Sequence, residues 1–134
     1  MYLYDRRSDI DRWRLGGPVS PKELKMACYS WKNLPLSRVT PFKCYRTFRG
    51  ERIKVLLLTL QPGQIGERHK HECEQISHIL KGRAKIRLSE TEQIVSAGDL
   101  VHIPENLPHQ IETLGEEVTI LEIFSPTDYK KEIL

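Results

Sequence analysis

Cysteine is scarce in this sequence, and long apolar runs are missing. Only three cysteines occur among 134 residues, an odd and scattered set (Cys28, Cys44 and Cys73) that argues against a disulfide framework and favours a reducing compartment. No apolar stretch approaches the roughly 18 residues that a membrane-spanning helix needs, and the charged start MYLYDRRSDIDRW lacks the apolar core of a secretory signal. We therefore expect a cytoplasmic protein without a membrane partner.

Neither basic nor acidic residues are in large excess. The 21 basic and 18 acidic residues are mixed along the chain, giving a net charge of +3, and no run of five basic residues occurs. Nucleic acid is therefore not expected as a partner. The chain has no repeat or low-complexity tract, and its length suits one domain that can bury a core without disulfides.

The first forty residues carry a helical signal. Ser20 has the chemistry of an N-cap, Pro21 suits the first helical position, and Glu23 stands three residues after the cap. Prolines further along keep this helix short. We predict that residues 1–40 form an arm with a short helix, which packs on the domain or on a second subunit.

Beyond the arm, the hydrophobic period changes to two. Short runs rich in β-branched and aromatic residues alternate with turn segments such as QPG, SET, AGD and LGEE. The runs read FKCYRTF, RIKVLLLTL, AKIRL, EQIVS, LVHI, HQIET and VTILEIF. Many short strands without a helical insert indicate an all-β antiparallel sandwich or barrel. We assign it to residues 41–134, including a short C-terminal tail.

The segment ERHKHE, residues 67–72, has no apolar face. Alternate residues of a strand share a face, so Glu67, His69 and His71 point the same way. Two neutral imidazoles at this spacing can bind one transition-metal ion. The same pattern also suits a polar edge strand with two titrating histidines, so the two histidines alone do not decide between these interpretations.

A second stretch, GDLVHIPENLPHQIET, supplies a further histidine behind a glycine–aspartate turn and a proline-rich turn. In order and spacing, the two stretches resemble the two motifs of the cupin superfamily. The matching positions are Gly63, His69, His71 and Gly82 in the first motif and Gly98, Pro104 and His109 in the second. The resemblance covers residues 42–126 and implies a single-domain double-stranded β-helix, the jelly-roll barrel of cupins.

Three positions depart from the cupin motifs. Gln75 stands where the first motif has glutamate, and Asn106 and Thr113 stand where the second has glycine and asparagine. Asparagine tolerates the left-handed backbone that a glycine would supply. Glutamine can bind a cation through its amide oxygen but brings no negative charge, so the ion would be held more weakly, act as a stronger Lewis acid and favour an anionic substrate. The other interpretation of Gln75 is a degenerate pocket that binds no metal.

The stretches HECEQISHILKG, GDLVHIPENLPH and EIFSP are similar to those of the KdgF-type cupins of pectin and uronate breakdown. In that family the glutamine is a metal ligand, which implies one divalent transition-metal ion (zinc, nickel, iron or manganese) on His69, His71, Gln75 and His109. The family opens 4,5-unsaturated uronates to linear keto acids. The resemblance therefore implies an isomerase or lyase that acts on a small anionic sugar or keto acid.

The strand VTILEIF offers a catalytic carboxylate. Glu122 shares a face with Val118, Ile120 and Phe124, and it is the lone charge on that face. It matches the position of the family's catalytic aspartate, which implies a general acid or base; an ion pair with a barrel arginine is the alternative. Phe124 matches the family's aromatic residue and is predicted to line the substrate pocket.

The residue that grips the substrate carboxylate is not evident from the sequence. The family commonly has an arginine shortly after Ser-Pro, where this chain has Asp128, and Arg68 and Lys70 face away from the histidines. Glu67, on the face of the histidines, and His102, before the proline-rich turn, are further candidates for the pocket wall. For Glu67, contact with solvent alone is the alternative.

Two other functions stay open at this point. Three histidines that leave open positions on Fe(II) or nickel suit a dioxygenase, and a barrel that senses a small ligand without turning it over would be a non-enzymatic binding module. Many cupins pair through sheet edges and N-terminal arms, so the resemblance also implies a homodimer.

Overall fold

The computed structural model describes residues 28–134. The helix predicted to start at Ser20 and most of the predicted arm lie outside these residues. Within the described part of the chain, no helix has the length and apolarity that a membrane crossing requires.

Strands make up nearly all of the described fold. The elements in chain order are a 3-10 helix (Trp31–Asn33) and the strands β1 (Leu36–Thr40), β2 (Lys43–Arg49), β3 (Lys54–Leu60), β4 (His69–His71), β5 (Glu74–Lys81), β6 (Arg83–Leu88), β7 (Thr91–Ser96), β8 (Leu100–Ile103), β9 (His109–Thr113), β10 (Val118–Ser125) and β11 (Lys131–Ile133). They form a six-stranded sheet in the order β1-β2-β3-β10-β5-β8 and a five-stranded sheet in the order β11-β4-β9-β6-β7. The prediction of an all-β jelly-roll fold is confirmed.

The core lies between the two sheets and consists of alternate residues of their strands. On β10, Val118 and Ile120 are fully buried, and on β6 of the other sheet Ala84 and Ile86 are buried. The remaining buried members of the cluster are Leu58, Leu60, Ile79, Val95, Val101 and Ile103. Each fully buried valine, leucine or isoleucine contributes roughly 1.5–3 kcal/mol to the free energy of folding. The two-residue period of the sequence puts these side chains on the inner face of each strand, and their burial holds the two sheets together.

Residues 36–40 belong to a sheet, although the sequence assigns them to the arm. β1 pairs with β2 from Leu36 opposite Arg46 to Thr40 opposite Lys43. The guanidinium of Arg46 also donates to the carbonyl of Leu34 at 2.7 Å and so holds the approach to the strand. The described part of the predicted arm therefore packs on the domain itself, one of the two places that the sequence allows.

The C-terminal tail also joins a sheet. β11 pairs with β4, with Lys131 opposite His71 and Ile133 opposite His69. Because β4 carries two of the candidate ligands, this pairing brings Lys131 and the preceding Tyr129 to the wall of the same cavity. The tail thus contributes to the site and not only to the edge of the sheet.

Two turns require particular residues. Asn106 has a φ of 61°, and its backbone N–H donates to the carbonyl of His71 at 2.7 Å. Asparagine thus supplies the left-handed conformation expected here and ties the second motif to the first. At Gly82 the φ is 80°, and a Cβ would clash with the carbonyl oxygen of Glu117. Glycine is therefore required there for space as well as for conformation.

Replacement of Gly82 by alanine should destabilise the fold by about 3 kcal/mol or more, because the new methyl group meets backbone and not a flexible side chain. The matched control is Gly98→Ala, where φ is 98° but a Cβ would meet nothing within 4 Å. That variant carries only the left-handed strain of about 1–2 kcal/mol. Urea unfolding measures both free energies, and equal losses would contradict the close approach at Gly82.

Candidate metal centre

Three histidines from two neighbouring strands meet inside the barrel. His69 and His71 lie on β4, and His109 begins β9, where it is the partner of His69 in the antiparallel pairing. One ring nitrogen from each of the three lies within 4.8 Å of the others. The two-residue spacing puts both β4 histidines on the inner face, and the strand pairing adds the third. The three rings are therefore close enough to share one ion.

Backbone carbonyls orient the three rings. Each Nδ1 faces the carbonyl of a residue two positions away: Glu67 for His69 (2.9 Å), Cys73 for His71 (3.1 Å) and Leu107 for His109 (2.8 Å). Because a carbonyl can only accept, Nδ1 of His69 and of His109 carries the proton and donates it, and their Nε2 atoms present lone pairs, the form in which imidazole binds a metal. His71 has an acceptor at both ring nitrogens, the carbonyl of Cys73 at Nδ1 and the amide oxygen of Gln75 at Nε2. In all three cases the carbonyl contact holds the ring in orientation.

The Nε2 atom of His109 is buried and has no hydrogen-bond partner among residues 28–134. Burial lowers the pKa of His109 to about 4 and also lowers the pKa of His69. Both rings are therefore neutral at physiological pH. A buried acceptor without a partner costs about 1–3 kcal/mol, and a cation is the partner that a neutral Nε2 accepts.

Gln75 of β5 points its amide oxygen at the same volume. Oε1 lies 2.9 Å from Nε2 of His71. The amide nitrogen donates to Oγ of Ser77 at 2.9 Å and to Oε1 of Glu122 at 3.2 Å, and these acceptors set which end of the amide faces the histidines. This contact is a hydrogen bond when Nε2 of His71 carries the proton. With the proton on Nδ1, both atoms present lone pairs and could bind one cation. The donor atoms thus fit a divalent transition-metal ion.

Cys73 touches one of the histidines from behind. Its Sγ lies 3.1 Å from Nδ1 of His71, the ring nitrogen opposite to the one that faces Gln75, and the side chain is fully buried. Burial raises the pKa of Cys73 to about 11, so the thiol stays protonated. Because the thiolate and not the thiol binds metals, Cys73 packs behind the site and is not a ligand.

A cavity of about 450 Å³ opens in front of the histidines. Glu122 of β10 lines it, opposite Leu56 of β3 in the strand pairing. The carboxyl keeps some solvent contact through the cavity, yet burial raises the pKa of Glu122 to about 7, against the lowering effect of Lys43, Lys54 and Lys131. A carboxyl with this pKa exists in both forms near neutral pH, which suits a group that gives and takes a proton.

Aromatic rings form one wall of the cavity. Phe124 is buried, and its ring stacks on that of Tyr129 with the centroids 5.7 Å apart and the planes inclined by 20°. The ring of Phe124 also meets His71 edge-on at 5.8 Å. Phe124 therefore lines the cavity and at the same time supports a candidate ligand.

Glu67 lies at the mouth of the cavity with an exposed side chain. Its carboxylate is 3.9 Å from Nζ of Lys131. The backbone carbonyl of Glu67, and not its carboxylate, accepts the hydrogen bond that orients His69. Glu67 therefore orients His69 through its main chain and not through its side chain.

His102 does not line the cavity, so its prediction as a pocket residue is wrong. Its ring lies on the outer face of β8, 2.8 Å from the carboxylate of Glu74. The inward positions of this strand belong to Val101 and Ile103, both of which are buried. β8 stays regular up to the proline-rich turn, so strand parity sends His102 outward.

The cavity is also lined by residues that the sequence did not predict, and three of them are Lys54, Ser77 and Tyr129. Strand parity, the rule that places Glu122, also places two of them. Lys54 is the lone charge on the inner face of β3, and Ser77 shares the parity of Gln75 on β5. Tyr129 lies in an irregular segment, so no periodicity places it.

Comparison with known proteins assigns the family. A family profile described as "Cupin domain" matches residues 56–124, slightly more than half of the chain. The chain is a cupin. Auxin-binding protein 1 of Arabidopsis thaliana is 32% identical in an alignment of 83 positions that covers 54% of this cupin and 42% of that protein. Oxalate decarboxylase OxdC of Bacillus subtilis is 27% identical in an alignment of 86 positions that covers 60% of this chain and 22% of that enzyme. The cupin thus spans less than half of the length of these relatives.

Solved structures share its fold. KdgF from Halomonas sp. superposes with a TM-score of 0.71 at 19% identity, over 76% of this chain and 94% of that one. A variant of oxalate decarboxylase from Bacillus subtilis gives a TM-score of 0.72 at 22% identity, over 79% of this chain and 32% of that one. At these identities the likeness establishes the cupin fold and not a shared activity.

Cupin purified without chelators should carry about one divalent transition-metal ion per chain, and His109→Ala should lose most of it because a buried lone pair disappears. His102→Ala is the matched control, since that ring lies outside the cavity. Elemental analysis after gel filtration measures the metal in each protein. The same metal content in both variants would contradict the site.

Glu122→Gln should stabilise the metal-free protein above pH 7. The folded pKa of about 7 exceeds the ordinary value of 4.5, so the stability linked to this proton is complete below pH 4.5 and is lost as the pH rises through 7. Glutamine carries no such charge, so the variant should gain about 1–3 kcal/mol at pH 8 and almost nothing at pH 4. Urea unfolding in the presence of a chelator measures this gain; an equal gain at both pH values would contradict the raised pKa.

Proposed function

We propose that this cupin is a metal-dependent isomerase or lyase that opens 4,5-unsaturated uronates, or closely related small anionic sugar acids, to linear keto acids. One observation supports the proposal most strongly. Glu122 lies in the cavity where the histidines converge and accepts a hydrogen bond from Gln75 at 3.2 Å. A carboxyl that can exchange a proton, placed beside a set of candidate metal ligands, suits an enol-to-keto proton transfer. The shared fold with KdgF from Halomonas sp. is consistent with this chemistry.

The proposed ligands are His69, His71, Gln75 and His109. When bound, the ion would supply Lewis-acid stabilisation to the substrate oxygen that becomes negative during ring opening. All four ligand groups are uncharged, so an anionic substrate is left to balance the positive charge. This is the physical reason for a sugar acid rather than a neutral sugar.

Glu122 is proposed to move one proton within the substrate. As a carboxylate it takes the proton of the anomeric hydroxyl, the bond from the anomeric carbon to the ring oxygen breaks as the aldehyde forms, and the ring oxygen becomes that of an enolate at C5. Glu122 then gives the proton to C4, which leaves a ketone at C5. The product is an isomer of the substrate, and neither water nor an oxidant is consumed.

A binding module is the second candidate. Auxin-binding protein 1 of Arabidopsis thaliana is named for the binding of a small molecule, and it is 32% identical over 83 residues. In that case the cavity of this cupin would hold a small anion without turning it over.

The metal-loaded protein should remove the ultraviolet absorbance of unsaturated monouronates faster than their spontaneous ring opening does, and in deuterium oxide it should place one deuterium at C4. Glu122→Gln should slow this turnover by about 100-fold or more while keeping its metal. The matched control is Glu112→Gln, whose carboxylate pairs with Lys85 at 2.8 Å away from the cavity. That variant should turn over at the unaltered rate.

Two other outcomes of this experiment would each support a different function. Tight binding of uronates without turnover would replace the proposal by the binding module. Oxygen uptake by the iron-loaded protein would replace it by a dioxygenase. Homodimer formation and a cytoplasmic location stay predictions from the sequence.

A further inference from the structure

One charged side chain stands at the end of an otherwise apolar strand face. Lys54 and the leucines that follow it at alternate positions of β3 line the cavity. In the pairing with β10, Lys54 lies opposite Phe124, and Leu56 lies opposite Glu122. Lys54 is thus the diagonal cross-strand neighbour of Glu122, within reach of a long side chain.

Two aromatic rings hold the ammonium group of Lys54 at the cavity wall. Its Nζ donates to Oη of Tyr129 at 2.5 Å and lies 4.4 Å from the centroid of that ring and 5.0 Å from that of Phe124. Ring faces attract a cation but leave its charge uncompensated. Among residues 28–134, no carboxylate forms an ion pair with this nitrogen. Burial accordingly lowers the pKa of Lys54, a cost that a bound anion would offset.

The other lysines of the cavity are placed differently. Lys43 is exposed at the start of β2. Lys131 lies at the mouth with a side chain that is 44% exposed, and its Nζ is 3.9 Å from the carboxylate of Glu67. Both are screened by water, and a screened cation contributes little to the binding of one particular anion. Lys54 is therefore the positive group that is both half-buried and without an acidic partner in the described chain.

Asp128, two residues after Ser125-Pro126, does not take this role. Asp128, which stands where KdgF-type cupins commonly have an arginine, forms an ion pair with Arg49. Its side chain is 92% exposed, so the pair lies in solvent. An anionic substrate thus finds no partner at position 128, and its contact has to come from elsewhere in the cavity.

We propose that Lys54 binds the carboxylate of the sugar acid, an inference that rests on the proposed function. In an unsaturated uronate the carboxylate is attached to C5, next to C4. A carboxylate held by Lys54 therefore brings C4 toward the neighbouring Glu122, the group proposed to protonate it. Burial raises the pKa of Tyr129 to about 12, so its hydroxyl keeps a proton that it can donate to the same carboxylate.

Calorimetric titration of the metal-loaded protein tests the assignment with two non-reacting probes, galacturonate and its methyl ester. Lys54→Met should weaken galacturonate binding by about 10- to 100-fold and leave the ester unchanged, because only the acid carries the anion. Lys54→Arg should restore most of the affinity. Lys70→Met is the control, since Lys70 pairs with Glu132 at 3.4 Å on the outer face and should have no effect.

Kinetics and metal content complete the test. With the unsaturated uronate as substrate, Lys54→Met should raise KM more than it lowers kcat, at unchanged metal content, because the lost contact is made equally before and during the reaction. If the methionine variant does not fold, Lys54→Gln keeps a polar group at the position and serves instead. The inference is overturned if the loss of the lysine weakens acid and ester alike, or weakens neither.

The two proposals fail separately. If galacturonate binding depends on Lys54 but no uronate is turned over, the proposed function is wrong and the anion site stands. If uronates are turned over and Lys54→Met behaves as the unaltered protein does, the assignment of Lys54 is wrong and the function stands.

Discussion

The centre of this cupin brings together uncharged side chains, three imidazoles and one amide, each of which has an atom that can bind a cation. Backbone carbonyls hold three imidazole rings from the Nδ1 side and place the protons of His69 and His109 there. Gln75 adds its amide oxygen 2.9 Å from Nε2 of His71, and Nε2 of His109 is buried without a partner among the described residues. The unpartnered Nε2 of His109 costs free energy by itself, and a cation would supply its missing partner. Under the proposed function, an anionic substrate would then balance the charge of that cation.

With glutamine in place of glutamate at position 75, β5 brings no carboxylate to the histidines. The carboxylate of the barrel lies instead on the neighbouring strand β10. Glu122 of β10 is opposite Ser77 of β5, and it accepts a hydrogen bond from the amide nitrogen of Gln75. One amide therefore offers its oxygen toward the histidines and its nitrogen to the carboxylate. A carboxylate that bound the ion directly would be fixed in its ionised form. A carboxylate that touches only the amide is not fixed in this way and stays able to carry a proton.

Strand parity and motif spacing predict the fold and most of the site, because both depend on local backbone geometry alone. They place His69, His71 and Glu122 toward the interior. The alternation of the apolar residues Val101 and Ile103 also places His102 on the outer face. The proline-rich turn that follows does not change the parity of this strand. The position of Tyr129 depends on the pairing of β11 with β4 and has no periodic signal. Long-range pairings of this kind are set by the whole barrel and not by any short segment.

Two departures from the KdgF-type pattern bear on the proposed substrate contact. Asp128, in place of an arginine, pairs with Arg49 in solvent, so under the proposed function the positive contact falls to Lys54 on β3. Lys54 is the diagonal cross-strand neighbour of Glu122, so one pair of strands would supply both the contact to the anion and the carrier of the proton. Glu122 is one methylene longer than the aspartate that the family has at this position, and its carboxylate accepts a hydrogen bond from the amide of Gln75 at 3.2 Å.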